Sequence, residues 1–428
     1  MRWTPCACAR EIHVGSDSSE REPVRTRGII MQARMPEDAD RLAAAYAGQI
    51  QTVYLDPPFD TSKAYDLRLP VGETGWRTGK PTVTLSAYDD RWDPVEYEGM
   101  IREAARTAHT MLGSEGALFL HIDPRRSPLM RRILDEVFGE ANFVNEIVWV
   151  YETGGRAKGH FSRKHDVLLF YRKSERLYFD ITAAAMPRTR RHNHMRRGAD
   201  EQGRGYSAID VGGKEYRYYD DDPVYPSDVW TDIAPLQQRD PRRTGFDTQK
   251  PAALIARVIG CTSRPGDWVA DLFAGSGTTA RTAADMGRSF VCADASQASL
   301  LTMRRRLMDC AFEFDAPASP PDESEPPTLE AEIHDEDGTI TAALVRCEVG
   351  SSCAYPPDGL THVDQWSFGV IQGGVFHAYA NAVRDKRRPA LPDTLSFDRS
   401  LLEYGAPTII IVDVRGRRSA FRCDDGRD

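Results

Sequence analysis

The chain has 428 residues, of which 41% are hydrophobic and 28% charged, and its formal net charge is −9. These values are ordinary for a globular protein, and the length fits about two or three domains. No run reaches the ~18 apolar residues of a membrane span, and residues 1–20 lack the apolar stretch of a signal peptide. The eight cysteines form no CxxC pair. We therefore expect reduced thiols, no metal site, no membrane association and a cytoplasmic location.

The pattern of residues changes along the chain. Residues 1–27 are polar and unpatterned, which predicts an N-terminal arm. From 28 to 315 strand patterns alternate with helical ones, so we expect an α/β domain whose mostly parallel sheet is covered on both faces. The predicted strands are 51–55, 116–123, 146–151, 166–171, 268–272 and 289–294, and the predicted helices are 94–112, 127–139, 251–263 and 278–286.

An irregular, turn-rich region interrupts this alternation at about 152–247, and within it 155–245 is predicted to be an insertion on the rim of the sheet. Between residues 154 and 206 there are 13 Lys/Arg and 5 Asp/Glu. A basic segment in an acidic protein indicates a local surface for nucleic acid, although a solvated loop would have the same composition.

The last part of the chain changes character again. Residues 316–328 are rich in proline and acids and predict a linker. Beyond it, 329–428 contains short strand patterns separated by turn residues, which predicts a small antiparallel domain resembling a β-sandwich.

The stretch "VYLDPPFD" (53–60) is an apolar strand that ends at an acid followed by two prolines. Burying Asp56 without a partner would be costly, and Pro57 and Pro58 cannot donate to a sheet ladder. Alone, the stretch predicts only a turn after a strand. An alternative is that Asp56 binds a partner from outside the chain.

The stretch "VADLFAGSGTTARTAADMGRSFVCADAS" (269–296) predicts a strand, a glycine loop, a helix and a second strand that ends at Asp294. Glycines at 275 and 277 allow a ligand to approach the backbone, and an acid in the place of Asp294 can accept hydrogen bonds from ribose hydroxyls. The third glycine of a dinucleotide loop is missing, so a nucleoside that carries a carboxylate fits better than a pyrophosphate.

Taken in order, "DPPF" (56–59), the basic insertion and "DLFAGSGTT" (271–279) resemble the beta class, or permuted group, of DNA amino-methyltransferases. Further matches are "AYDDRW" (87–92), "FVNEIVWVYETGG" (143–155), "KHDVLLFYRKS" (164–174) and "TQKP" (248–251). The resemblance covers about 28–315 and includes methylating subunits of restriction–modification systems. It implies a Rossmann-like domain that uses S-adenosylmethionine. The C-terminal region distantly resembles a PKD-type sandwich of bacterial defence proteins.

The resemblance gives the proline motif a chemical role. An exocyclic amino group of a base is a poor nucleophile because its lone pair is delocalised into the ring. Asp56 and the carbonyl of Pro57 can accept its hydrogens, Pro58 keeps the turn rigid, and the ring of Phe59 offers a stacking face. The implied partner is double-stranded DNA with a flipped-out target base, with a homodimer or restriction and defence subunits as further partners.

The residues that the resemblance assigns to S-adenosylmethionine lie in the glycine loop, at the following strand end and in the TQKP segment. They are Asp271, Phe273, Ala274, Gly275, Ser276, Gly277, Thr278, Thr279, Asp294, Ser296, Thr248, Gln249, Lys250 and Pro251. The residues predicted to bind DNA are the cations Arg156, Lys158, Arg163, Lys164, Arg190, Arg191, Arg196 and Arg197. Tyr206, Tyr216, Tyr218 and Tyr219 are predicted to stack on bases.

Asp in the first position of the four-residue motif favours adenine N6 as the target, because members of the class that methylate cytosine N4 more often have Ser there. Two alternatives stay open from the sequence. One is a cytosine-N4 enzyme, and the other is a DNA-recognition subunit of a defence complex whose cofactor site stabilises its structure.

Overall fold

The computed structural model describes residues 2–6, 8, 10–14, 27–151, 157–187, 195–316, 328–348 and 360–424. In the first half the strands are β1 (Arg2–Cys6), β2 (Arg10–His13), β3 (Gly28–Gln32), β4 (Ile50–Leu55), β5 (Ala64–Pro70), β6 (Thr82–Asp89), β7 (Leu112–Ile122), β8 (Phe143–Val150), β9 (His165–Arg172), β10 (Arg196–Ala199), β11 (Gly205–Val211) and β12 (Lys214–Tyr219). The later strands are β13 (Val229–Trp230), β14 (Trp268–Asp271), β15 (Ser289–Asp294), β16 (Phe312–Asp315), β17 (Thr328–Glu336), β18 (Thr339–Glu348), β19 (Val363–Gln372), β20 (Val375–Val383), β21 (Thr394–Asp398), β22 (Pro407–Asp413) and β23 (Arg418–Asp424).

The α-helices are α1 (Ala39–Tyr46), α2 (Gly72–Thr78), α3 (Pro94–Met111), α4 (Ser127–Phe138), α5 (Ala252–Thr262), α6 (Thr278–Asp285) and α7 (Gln297–Leu307). Short 3-10 helices lie at Glu140–Asn142, Ile181–Ala184 and Arg399–Tyr404. In the described part of the chain, no helix is both long enough and apolar enough to cross a membrane.

The central sheet has the predicted, mostly parallel arrangement. Its order in the α/β domain is β16-β3-β15-β14-β4-β7-β9-β8-β13, and only β9 runs against both of its neighbours in this stretch. Helices α1, α3 and α4 pack on one face, while α5, α6 and α7 pack on the other. Because both faces are covered, strands such as β4 are buried almost throughout instead of alternating between buried and exposed residues. This confirms the expected α/β fold.

The C-terminal region is a β-sandwich whose one layer continues the central sheet. Strands β17, β18 and β21 form a separate three-stranded sheet. They pack against β1, β19, β22 and β23 around a core that includes Trp3, Trp366 and Phe421. The order β1-β23-β22-β19-β20 then joins β2, β16 and the α/β domain in a single sheet of 15 strands.

The N-terminal arm expected at 1–27 differs from the structure, because its described residues form two strands in this sheet. β1 pairs with β23, and β2 lies between β20 and β16. In β2, Glu11 and His13 are fully buried and bonded to each other, which explains why a strand with charged residues is stable there. The sequence pattern missed it because β2 has only four residues and its partners are distant in the chain.

The buried carboxylate of Glu11 joins the two halves of the molecule. It forms ion pairs of 2.8 Å with Arg304 of α7 and 2.9 Å with Arg418 of β23. Burial alone would raise the pKa of Glu11, but Arg304, His13 and Arg418 together hold it well below its usual range. We call Glu11, His13, Arg304 and Arg418 the Glu11 cluster.

Two further small sheets stand outside the central one. The hairpin β5–β6 packs with α7 and with the sandwich layer that continues the central sheet, around Leu67, Leu69 and Leu301. The antiparallel sheet β10-β11-β12 belongs to the predicted insertion. Neither small sheet was predicted from the sequence as a separate unit.

Candidate functional site

A cavity of about 460 Å³ opens at the carboxyl ends of β4, β14 and β15. It brings the two motifs of the sequence together, although more than 200 residues separate them, because β4 and β14 are parallel neighbours whose ends meet at one edge. The predicted residues that line it are Asp56, Pro57, Pro58, Phe59, Thr248, Lys250, Asp271, Phe273, Ala274, Gly275, Ser276, Thr278, Thr279, Asp294 and Ser296.

The turn that follows Asp56 is held rigidly from outside. β4 ends at Leu55 because the two prolines that follow Asp56 cannot donate to a ladder. The hydroxyl of Tyr97 donates to the carbonyl of Pro58 at 2.7 Å. The buried carboxylate of Asp90 accepts from the backbone N–H groups of Asp60 and Thr61 at 2.9 and 2.8 Å. The turn is therefore preorganised without any ligand.

Asp56 itself is paired with a lysine. The Lys250 ammonium donates to the two carboxylate oxygens of Asp56 at 2.7 and 2.5 Å, and it lies 5.0 Å from the centre of the Phe59 ring. The side chains are only 13% and 17% exposed for Lys250 and Asp56. The pocket therefore holds a nitrogen with N–H donors between a carboxylate and an aromatic face.

A chain of buried polar side chains lies behind Phe59. The Tyr54 hydroxyl is 2.7 Å from His121 Nδ1, and His121 Nε2 is 3.2 Å from Asp166. Tyr151 donates to the other oxygen of Asp166 at 3.1 Å. The centre of the His121 ring lies 5.9 Å from the centre of the Phe59 ring, so these hydrogen-bonded side chains support the Phe59 ring on that side.

The glycine loop between β14 and α6 has the backbone that its sequence requires. Gly275 and Gly277 have φ values of 49° and 72°, in the region that side chains disfavour. A Cβ on Gly277 would lie 2.6 Å from Met303. The carboxylate of Asp271 accepts from the Phe273 N–H at 3.0 Å and from the Thr279 hydroxyl at 2.6 Å, which ties the start of the loop to α6.

The acids of the cavity are electrostatically unusual. Burial, reinforced by the nearby charges of Asp56 and Asp294, raises the pKa of Asp271 to about 7. Burial also raises the pKa of Asp294, which accepts from the backbone N–H groups of Gly275 at 2.8 Å and Ser296 at 2.9 Å. Because burial makes the ionised forms of these carboxylates costly, a positively charged group of a ligand beside them would stabilise those forms.

Three of the residues predicted for the cofactor do not line the cavity. Gln249 accepts from the backbone and hydroxyl of Thr244 at 2.8 and 2.9 Å, and so shapes the segment before α5. Pro251 is buried at the start of α5, and Gly277 packs on Met303.

The sequence analysis missed other lining residues, which come from the segment after β3, from the β5–β6 hairpin and the segment that follows it, and from the segment before α5. They include Arg34, Met35, Tyr65, Tyr88, Trp92 and Phe246. The quoted match "AYDDRW" contained Tyr88, Asp90 and Trp92 and was the signal that could have identified that wall of the cavity.

The described cations predicted to bind DNA form two groups. Lys158, Arg163 and Lys164 lie between β8 and β9, and Arg196 and Arg197 lie in β10. Arg156, Arg190 and Arg191 lie outside the described residues. In β10, Arg196 pairs with Glu215, and Arg197 pairs with Asp220. Between 196 and 222 the chain has five Lys/Arg but seven Asp/Glu, so this small sheet is not a basic surface.

The tyrosines of the small sheet also differ in accessibility. Tyr206 is buried against Gly198 and Tyr219, and the guanidinium of Arg204 lies 4.2 Å from the Tyr219 ring. The rings of Tyr216 and Tyr218 are exposed. The stacking role predicted for all four tyrosines therefore fits only these two.

The fold and the cavity define a Rossmann-like α/β protein whose ligand site lies at the carboxyl edge of a parallel sheet. The chain belongs to the N6/N4 DNA methylase family, whose sequence profile matches residues 50–302. The match begins in β4 and ends in α7, so it contains both motifs that line the cavity.

Individual relatives are distant. The chain is 22% identical over 303 residues to the type II methyltransferase M.EcaI of Enterobacter cloacae, covering 60% of this chain and 64% of that protein. It is 23% identical to the DNA adenine methyltransferase YhdJ of Escherichia coli K12, covering 63% and 80%. Among solved structures, the cytosine-N4-specific PvuII DNA methyltransferase aligns with a TM-score of 0.43 and 14% identity, over 67% of this chain and 89% of that one.

Proposed function

We propose that this protein methylates adenine N6 in double-stranded DNA, with S-adenosylmethionine as the methyl donor, as the modifying enzyme of a bacterial restriction–modification or phage-defence system. Membership of the DNA methylase family supports the DNA substrate. The relatives named as type II methyltransferases and as a DNA adenine methyltransferase support the cellular role and the choice of base.

One observation carries the proposal: Asp56 already binds an amino group. The Lys250 ammonium is bonded to both oxygens of Asp56 and lies over Phe59. The exocyclic amino group of a flipped-out base has the same kind of donors attached to a flat ring. It therefore fits the same place, with its hydrogens on Asp56 and its ring on Phe59.

The residues of the cavity also fit the methyl donor. The volume of about 460 Å³ lies in the ~300–1,000 Å³ range of small-molecule sites. Among the described residues, the Ser296 hydroxyl is buried beside Asp294 without a hydrogen-bond partner, so a ligand hydroxyl can satisfy it. The raised pKa of Asp271 favours a cationic group nearby. We assign the ribose to Asp294 and Ser296, and the positively charged end to the Asp271 side.

When bound, S-adenosylmethionine supplies a methyl group on a positively charged sulfur. The residues of the chain then act on the base. Asp56 and the carbonyl of Pro57 accept its amino hydrogens, which draws the nitrogen lone pair out of the ring. The nitrogen forms a bond to the methyl carbon as the carbon–sulfur bond breaks, and one amino proton leaves towards Asp56. Positioning supplies much of the rate in such a displacement.

Lys250 has to leave before the base can occupy its place. Its charge acts on Asp166 as well as Asp56, because it helps to lower the pKa of Asp166 against the effect of burial, together with the hydrogen bonds from His121 and Tyr151. We infer that Lys250 moves away from Asp56 on the Asp166 side when the base enters. The lysine thus keeps the carboxylate paired in the resting protein.

The test is nucleoside mass spectrometry of unmethylated bacterial DNA after incubation with purified protein and S-adenosylmethionine. With the wild type we expect N6-methyladenine. With Asp56→Ala we expect the amount to fall by a factor of about a thousand or more, because the acceptor of the amino hydrogens is lost. Asp66→Ala, which removes an exposed carboxylate of β5 outside the cavity, is the matched control and keeps full activity.

Two results would contradict parts of the proposal. N4-methylcytosine as the product would keep the chemistry and change the base. No methylated base, from a folded protein that binds S-adenosylhomocysteine and DNA, would support the DNA-recognition subunit instead.

A further inference from the structure

An aromatic side chain stands almost free in solvent at the edge that carries the catalytic turn. Phe161 is 98% exposed, whereas most phenylalanines of the described chain are buried or partly buried. It lies in residues 157–164, which we call the finger loop, between β8 and β9. Exposing a whole phenylalanine opposes folding, so the position calls for a partner that covers it.

The finger loop lies on the same edge of the sheet as Asp56. Val150 of β8 pairs with His165 of β9, and Ile122 at the end of β7 pairs with Val167. The order β4-β7-β9-β8 puts the loop two to three strands from β4, roughly 10–15 Å at ordinary strand spacing. A base flipped into the cavity leaves its helix at about that distance from the loop.

The finger loop has its own internal bonds. Its base is closed by the Tyr151 N–H, which donates to the carbonyl of Lys164 at 2.9 Å. Near the tip, the Ala157 N–H donates to the Ser162 hydroxyl at 3.0 Å, and His160 Nδ1 lies 2.8 Å from the carbonyl of Phe161. The strand β8 that precedes the loop is connected to the pocket, because the Phe59, His121 and Trp149 rings are in successive contact.

The charge around Phe161 identifies the partner. The finger loop reads AKGHFSRK, with three Lys/Arg and no acid. Within the described ranges, neither Lys158 nor Arg163 is paired with a carboxylate, and both are exposed. In the β10-β11-β12 sheet, by contrast, the arginines are paired with acids. Unpaired cations on both sides of an apolar ring match a phosphate backbone on either side of a base stack.

We propose that the finger loop opens the duplex and that Phe161 inserts into the base stack, filling the space that the flipped-out target base leaves. Lys158 and Arg163 contact the flanking phosphates. This inference rests on the proposed DNA methylation and adds to it a residue that acts on the duplex and not on the transferred methyl group.

The target site is first mapped by sequencing DNA that the wild type has methylated. The test then compares two substrates that carry this site. One is a normal duplex, and the other has an abasic position opposite the target, so that the base is already unpaired. We expect Phe161→Ala to lower kcat/KM on the duplex roughly 10- to 100-fold, the size of one lost base–aromatic stack. On the abasic substrate the loss is below about threefold, because no pair has to be opened.

Matched variants separate this role from folding. Phe161→Trp keeps an aromatic face and stays near wild type on both substrates. Phe179→Ala removes another exposed phenylalanine, 48% exposed, which follows the opposite end of β9 and contacts the Phe170 ring, and leaves the ratio of the two substrates unchanged. Equal loss with Phe161→Ala on both substrates would overturn the insertion role. A folded wild type that methylates no DNA, so that no site can be mapped, would overturn the proposed function itself.

The cations give a second readout. Each phosphate contact contributes about −0.9 to the slope of log K against log salt. Lys158→Ala with Arg163→Ala is therefore expected to reduce the steepness of that slope by about 1.8. Arg204→Ala with Arg217→Ala, which removes paired cations, should change it by much less. An unchanged slope for the finger-loop pair would exclude the proposed phosphate contacts.

Discussion

Two carboxylates of the same 15-stranded sheet are paired with cations, but in very different ways. Glu11 is fully buried and surrounded by Arg304, Arg418 and His13. Asp56 is partly open to the cavity and has one ionic partner among the described residues, Lys250. The first arrangement cannot rearrange without leaving buried charges unpaired, whereas the second can exchange its cation for another donor. Whether an ion pair is structural or functional therefore depends on whether another hydrogen-bond donor can replace its cation.

The strongest way to test this contrast is to break the Glu11 cluster. Glu11→Gln keeps the shape but leaves Arg304 and Arg418 buried without a counter-charge, which costs about 3–5 kcal/mol of unfolding free energy. Urea unfolding followed by tryptophan fluorescence measures it. Because the pKa of Glu11 is held below its usual range, its stabilisation is present at neutral pH and is lost as the pH falls from the ordinary range of glutamate towards the lower pKa of the folded protein.

The control for that variant is Glu313→Ala in the neighbouring strand β16. Glu313 is partly exposed and only 3.4 Å from the exposed Arg27, so its loss should change the free energy of unfolding by no more than about 0.5 kcal/mol. A Glu11→Gln variant as stable as this control would mean that the cluster does not hold the two halves together.

A smaller effect is expected for the pair of Asp56 and Lys250, whose cation can be exchanged for another donor. Lys250→Met removes the ammonium that competes for Asp56, so a 2-aminopurine placed at the target should become about 3- to 10-fold more often flipped into the pocket, as its fluorescence reports. Lys250→Arg keeps the charge and serves as the control. A decrease in flipping with Lys250→Met would mean that the lysine holds the base and does not exclude it.

An effect of the same size, seen as a dependence on pH, is expected for the buried carboxylate of Asp271. Its pKa of about 7 means that it is mostly neutral at about pH 6 and mostly ionised at about pH 8. The preference for S-adenosylmethionine over S-adenosylhomocysteine should therefore rise about 3- to 10-fold over this interval, because only the former carries the positive sulfur. Calorimetric titration measures both ligands. Asp271→Asn should make the preference independent of pH, and a wild-type preference that fell with pH would contradict the assignment.

The sequence predicted the parts of the fold that depend on local pattern. The strands and helices around 51–55, 94–112 and 268–294 were recognisable because apolar runs, helical spacing and glycine punctuation are all local signals. The turn at residues 56–59 was recognisable because an acid and two prolines are unusual after a buried strand. Both motifs could also be placed at one edge, since parallel strands bring their carboxyl ends together.

The rest depended on pairings between distant segments. Lys250 was expected beside the cofactor, yet its ammonium lies on Asp56, 194 residues away in the chain. β2 is paired on both sides with strands that come far later in the chain, β16 and β20. The excess of Lys/Arg over Asp/Glu was counted only up to residue 206, whereas the acids that neutralise the small sheet lie at 210–222. Counting the charges over one more hairpin would have shown that the sheet is not basic.

The position of β2 between β16 and β20 has a consequence for how the protein is made. Arg10 is synthesised early, but its partner Val375 leaves the ribosome on the order of 20–70 s later at ordinary rates of synthesis. Until then β2 and β16 have strand edges that can pair with other chains. Nascent chains stopped before β20 should therefore be prone to aggregation. The proposed function would then be carried mainly by complete chains, because few partial chains would stay in solution.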